Sequence, residues 1–83
     1  MHEASIAKDV FDIIMETIDT DSDLSGKPVQ KINFRQSFPN TVVPDSFEFY
    51  FTELVKETVL DGAELNFEKC EEHGFFITSI EVN

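Results

Sequence analysis

The chain has 83 residues, with 17 Asp plus Glu against 6 Lys plus Arg, a formal net charge of −11, one cysteine and two histidines. That length holds one small domain with a thin core, expected to span residues 1–83. The acidity excludes nucleic acid, whose phosphates need clustered Lys and Arg, and a lone cysteine makes neither an intrachain disulfide nor a cysteine-rich zinc site.

No apolar run approaches the roughly 20 residues of a membrane span. The start lacks a signal-peptide pattern, because Glu3, Asp9 and Asp12 interrupt it. A cytoplasmic protein with no membrane partner is the expectation.

Ile6, Val10, Ile13, Ile14 and Ile18 recur at helical spacing, with Lys8, Asp9, Asp12, Glu16 and Asp19 on the other side. This predicts an amphipathic helix over residues 3–18, with Glu3 suited to the positive end of its dipole. Residues 19–26 alternate Asp in the manner of a calcium loop. Counting from Asp19, however, puts Leu24 where an EF-hand needs Gly and Gln30 where it needs Glu. The stretch is read as a solvated loop.

Over residues 29–38, Ile32, Phe34 and Phe38 fall on one face and Asn33, Arg35 and Ser37 on the other, the pattern of a half-buried strand. Pro39-Asn40 ends it. Pro44 opens a second helix, with Asp45 and Glu48 near its positive end. Its apolar stripe is Phe47, Phe51, Leu54, Val55 and Thr58 or Val59, and Asp61-Gly62 is its stop. Ala63, Leu65 and Phe67 alternate with Glu64, Asn66 and Glu68 as a second strand. After a polar turn, the strand over residues 75–82 places Phe76, Thr78, Ile80 and Val82 on one face.

The short loop between the last two strands predicts an antiparallel hairpin, and the helical crossover makes the first two strands parallel. The fold class is therefore α+β. Two helices pack on one face of a small three-stranded mixed sheet, in the order α-β-α-β-β. Phe34, Phe38, Phe47, Phe51, Phe67 and Phe76 are expected in the core, leaving Phe49, Tyr50 and Phe75 as surplus aromatics that could mark a partner surface.

Enzyme signatures are missing. There is no glycine-rich phosphate loop, and no local motif surrounds any Ser, His or Asp. The chemistry-bearing feature is the start, Met1-His2-Glu3. A free α-amine, the amide nitrogen of residue 2 and the Nδ1 of His2 chelate one ion in fused five- and six-membered rings. Square-planar nitrogen ligation of this kind favours Ni(II) or Cu(II). A frayed polar terminus is the plainer account of the same residues.

Met1-His2-Glu3-Ala4-Ser5-Ile6-Ala7 resembles the start of the HypA/HybF family, the nickel-insertion accessory proteins of nickel–iron hydrogenase maturation. Pro44-Asp45-Ser46-Phe47, Val59-Leu60-Asp61-Gly62-Ala63-Glu64-Leu65 and Ile77-Thr78-Ser79-Ile80-Glu81-Val82 are similar to family segments in the same order. The resemblance implies a nickel-binding metallochaperone or adaptor, not an enzyme, with nickel held at Met1, His2 and Glu3. It also implies two partners, the nickel-insertion GTPase and the hydrogenase large subunit.

The chain departs from that pattern in three places. A zinc ribbon with two paired-cysteine motifs is replaced by residues 69–74, so no structural zinc is expected. Val43 stands where the family often has Asp, and Ser37-Phe38-Pro39-Asn40 replaces its Gly-Glu-Leu-Ser type of segment. Cys70 and His73 form a Cys-x-x-His pair, read either as a weak metal site or as a remnant turn. The alternative function is a divergent interaction module that has kept the fold and lost the metal.

Overall fold

A computed structural model describes residues 3–37 and 42–82. With no Gly or Pro inside it, the first segment winds into α1 (Glu3–Thr20), burying Ala7, Val10, Ile14 and Ile18 along one stripe. Ile13 was expected in that stripe but is 53% exposed, because the small Ala7 lets the helix settle with residues 7, 10, 14 and 18 centred on the sheet. Thr17 and Thr20 donate their hydroxyls to the carbonyls of Ile13 and Glu16 at the helix end. Asp21 then turns the chain: its Oδ1 accepts from the Asp23 N–H at 2.8 Å, and its carbonyl accepts from Leu24 and Ser25.

The strands are β1 (Val29–Gln36), β2 (Glu64–Lys69) and β3 (Phe75–Val82), and α2 (Pro44–Leu54) connects the first two. β1 and β2 run parallel across this crossover, as expected. The hairpin expectation is corrected. The sheet order is β2-β1-β3, so β3 pairs antiparallel with β1 and not with β2. The reason lies in Phe34. It is fully buried and stacks on Phe67 of β2 at 5.0 Å and on Phe75 of β3 at 5.3 Å, contacts that need a strand on each side of β1.

Residues 70–74 carry the chain over the end of β1. The Cys70 N–H donates to the Gln36 carbonyl at 2.9 Å, and the Ser37 N–H to the Gly74 carbonyl at 3.1 Å. Gly74 returns its own N–H to the Ser37 Oγ at 3.2 Å. These bonds bury Ser37, which the alternation had placed outside. Gly74 adopts φ +135°, and a Cβ there would lie 2.8 Å from the Phe76 ring. Gly74→Ala is expected to lower stability by about 1–3 kcal/mol, from backbone strain plus displacement of that ring. A urea titration followed by circular dichroism measures the drop.

The inward face of β3 is also corrected. Phe75 and Ile77 pack on the core with Ile80 and Val82, whereas Phe76 is exposed at 37% and Thr78 faces solvent. A bulge explains the change. Asn33 pairs with Ser79 but Phe34 with Ile77, so Thr78 is an extra residue and the alternation reverses across it. A matching shift at Gln30 brings Val29 inward beside Ile32 and Phe34.

The second helix stops at Leu54, short of the expected Asp61. Local side chains take over the backbone there. The Thr58 hydroxyl donates to the Val55 carbonyl at 2.6 Å and accepts from the Leu60 N–H at 3.1 Å. The Glu57 N–H, at φ 66°, donates to Asp61 Oδ2. This turn drops Leu60 into the core and presents the Val59 carbonyl to the Val29 N–H at 2.8 Å.

The two helices share one core on one face of the sheet. The opposite face is polar. Asn33 donates to Ser79 Oγ and Glu81 Oε2 and accepts from the Asn66 amide, while Arg35 lies 3.7 Å from Glu68. Phe38 lies outside the described residues. Among the described residues, no helix is long and apolar enough to cross a membrane.

Candidate metal centre

The residues singled out at the start of the chain divide in two. Met1 and His2 lie outside the described residues; Glu3 opens α1 and is half-buried. Its Oε2 accepts the backbone N–H of Val43 at 3.2 Å, a contact spanning 40 positions of sequence. Val43 is the N-cap residue of α2, at φ −83° and ψ 112°, and has no side chain able to cap. A carboxylate from the other helix therefore sits at the entrance of α2, where the helix dipole favours negative charge. The first turn of α1 is thus fastened to the first turn of α2.

One position earlier, Val42 is held by Gln36, the last residue of β1. The Gln36 Nε2 donates to the Val42 carbonyl at 3.0 Å, and its Oε1 accepts from the Val42 N–H at 2.9 Å. Gln36 is only 3% exposed and Val42 is fully buried. A primary amide can pair with a peptide group in this two-bond manner, and both of its polar ends must be satisfied at that depth. Residues 42 and 43 are consequently gripped in succession, by the sheet through Gln36 and by α1 through Glu3.

Gln36 was overlooked in the sequence. A signal existed: it continues the inward series Ile32, Phe34, Gln36, where a polar side chain in an apolar series marks a buried hydrogen-bonding role. The Glu3–Val43 contact had no such signal, because it joins residues distant in sequence.

Cys70 and His73 remain in the loop between β2 and β3. The Cys70 thiol is half-buried and donates to the Glu72 carbonyl at 3.2 Å, and His73 is exposed. Among the described residues, no three His, Cys, Asp or Glu side chains are grouped to hold a metal ion.

This architecture is a small α+β fold, with the entrances of both helices brought to one corner above the end of β1. The chain belongs to the HypA family: residues 1–75 match the family described as hydrogenase/urease nickel incorporation metallochaperones. It is also 39% identical over 70 residues to a hydrogenase maturation factor HypA from Desulfatibacillum aliphaticivorans. That similarity covers 83% of this chain and 52% of the relative, so the chain spans about half the length of the curated relative it matches. The family's described role is that of a metallochaperone for nickel incorporation.

Proposed function

We propose that this chain is a nickel carrier of metalloenzyme maturation, which takes up Ni(II) at its first residues and passes it on. The observation that supports this most is the family match, which begins at residue 1 and so includes Met1, His2 and Glu3. The Met1 amine, the deprotonated His2 amide and the His2 Nδ1 supply three nitrogens of a square, a set suited to Ni(II). The fourth position stays open to a ligand from the recipient. A carrier needs that opening, because a closed site would hold its cargo. Glu3 contributes a carboxylate beside the chelate, and the charge of −11 draws divalent cations loosely toward the surface. Zinc has no structural part in this reading, and Cys70 with His73 is at most a weak auxiliary site.

The site of action is the cytoplasm. The recipients are the nickel-insertion GTPase and the hydrogenase large subunit, or an equivalent nickel enzyme. One observation favours a second reading as an interaction module. Phe49 and Tyr50 lie edge to face at 5.3 Å on the outside of α2, at 65% and 42% exposure. Aromatics left in the open in this way suit a protein contact.

A Ni(II) titration followed by the square-planar absorption band separates the two readings, using protein whose first residue is Met1 with a free amine. Loss of a ligand is expected to weaken binding at least as much as loss of a ligand's hydrogen-bond partner, so His2→Ala should lower affinity by about 10–100-fold or more. Equal binding by the two proteins would remove the nickel assignment and leave the interaction module.

A further inference from the structure

β3 is an edge of the sheet, and among the described residues no strand pairs with its outer side. Its eight residues hold one charged side chain, Glu81, and neither Pro nor Lys. The other edge, β2, is six residues long and carries Glu64, Glu68 and Lys69. Short, charged edges resist pairing with other strands, whereas a long apolar one favours it. β3 is of the second kind.

The bulge at Thr78 gives this edge a symmetry. Phe75, Ile77, Ile80 and Val82 turn toward the core, and Phe76, Thr78, Ser79 and Glu81 turn away. That order of inward and outward residues is the same read from either end, with its centre between Thr78 and Ser79. An unbroken alternation over the same length lacks this property, since its two ends face opposite ways. A second β3 laid antiparallel about this centre sets Phe75 against Val82 and Ile77 against Ile80 on the inner face. On the outer face it sets Phe76 against Glu81 and Thr78 against Ser79. Every position then meets a residue of the same facing, and no charge meets a like charge.

Beside the edge runs a groove of about 480 Å³ between β3 and α1, lined by Ile13, Thr17, Leu24, Ile77 and Ile80 among others. Among the described residues lining it, only Asp21 is charged. Ile13 is left half-exposed there. The chain carries −11 overall, yet little of that charge lies on this flank.

We propose that β3 is a self-association surface whose partner is a second copy of this chain. The two β3 strands pair antiparallel about a two-fold axis between Thr78 and Ser79, joining the two sheets into one. An axis perpendicular to the sheet keeps the helices of both copies on one face and closes the contact at two chains. It turns the flank of α1 that bears Ile13 toward the same flank of the second copy, over the groove. The pairs of Phe75 with Val82 and Ile77 with Ile80 are aromatic and β-branched neighbours of the kind that stabilise sheets. The two bulges meet at the axis, so both strands bend at the same point. No metal ligand takes part, and the proposal is independent of the nickel reading.

Sedimentation equilibrium of the whole chain, with a chelator present, reads the mass from micromolar to millimolar concentration. The mass should rise toward that of two chains. Added salt should strengthen the association, because it screens the repulsion between two copies that each carry −11. Thr78→Lys and Thr78→Glu each place like charges side by side at the axis, and each should weaken the dimer about tenfold or more. An equimolar mixture of the two should restore it, because opposite charges then meet. Residue 78 is exposed, so both variants should keep the fold, which circular dichroism checks. Ile13→Glu, on the open side of the groove, is a second test and should weaken the dimer likewise. A mass of one chain throughout overturns the proposal, as does a dimer that salt dissolves. A dimer that withstands Thr78→Lys and Ile13→Glu but is lost in Phe49→Asp also overturns it, and moves the contact to α2.

Discussion

Phe34→Ala is expected to destabilise the fold by about 3–5 kcal/mol, the range for truncating a buried aromatic. The structure gives reasons for the upper end. Phe34 is fully buried on the central strand, stacks on Phe67 and Phe75, and meets Phe47 edge-on at 5.5 Å. It thus links both edge strands to α2, and collapse around the vacancy would have to move three rings at once. A domain of this size has a total stability of about 4–12 kcal/mol, so the loss is a large share of the whole. In a urea titration followed by far-ultraviolet circular dichroism, the midpoint should fall steeply or the folded baseline vanish. Phe49→Ala is the control. Phe49 is 65% exposed, and its removal should change stability by no more than about 0.5 kcal/mol. A midpoint for Phe34→Ala close to that of Phe49→Ala would contradict the core described here.

Deletion of Thr78 is expected to leave the inward face of β3 intact. Thr78 is exposed, and its hydroxyl donates to the Asn33 carbonyl at 3.1 Å, so Thr78→Ala removes one solvent-facing hydrogen bond. That change should cost about 0.5–1.5 kcal/mol at most. Removing the residue altogether abolishes the bulge. Phe75, Ile77, Ile80 and Val82 then alternate without a break and all stay turned toward the core, with Ile77 opposite Phe34 and Ser79 opposite Asn33 as before. The deletion should therefore lower stability by an amount similar to Thr78→Ala, about 0.5–1.5 kcal/mol. A urea midpoint for the deletion far below that of Thr78→Ala would show that the bulge does more than accommodate one extra residue.

Which expectations survived, and which did not, follows from the range of the forces involved. The stripe Val10, Ile14 and Ile18 and the alternation Ile32 and Phe34 are statements about neighbours within one turn or two residues, and both elements formed within two residues of the bounds read for them. Pro44 opened α2 because its ring sets the backbone angle by itself. The end of α2 was misplaced because periodicity continued past Leu54 while Thr58 and Asp61 offered the backbone competing partners. In β3, pattern reading assumed unbroken alternation, and one unpaired residue sufficed to exchange Phe75 for Phe76 in the core.

The candidate site divides along the same line. The proposed chelate of Met1 and His2 is a covalent adjacency, so its nitrogens are read from order alone. The bonds of Glu3 to Val43 and of Gln36 to Val42 cross 40 and 6 positions, and they exist only once the chain has folded.

By itself the sequence determined the class of every element, their order and the parallel first crossover. These depend on side-chain period, fixed backbone angles and direct neighbours. Only the tertiary structure decided which strand lies in the middle, where the alternation of β3 reverses, and which polar groups hold the entrance of α2. Those outcomes arise from competition among distant partners for the same buried space and the same backbone hydrogen bonds, a competition settled when Phe34 took a ring on either side.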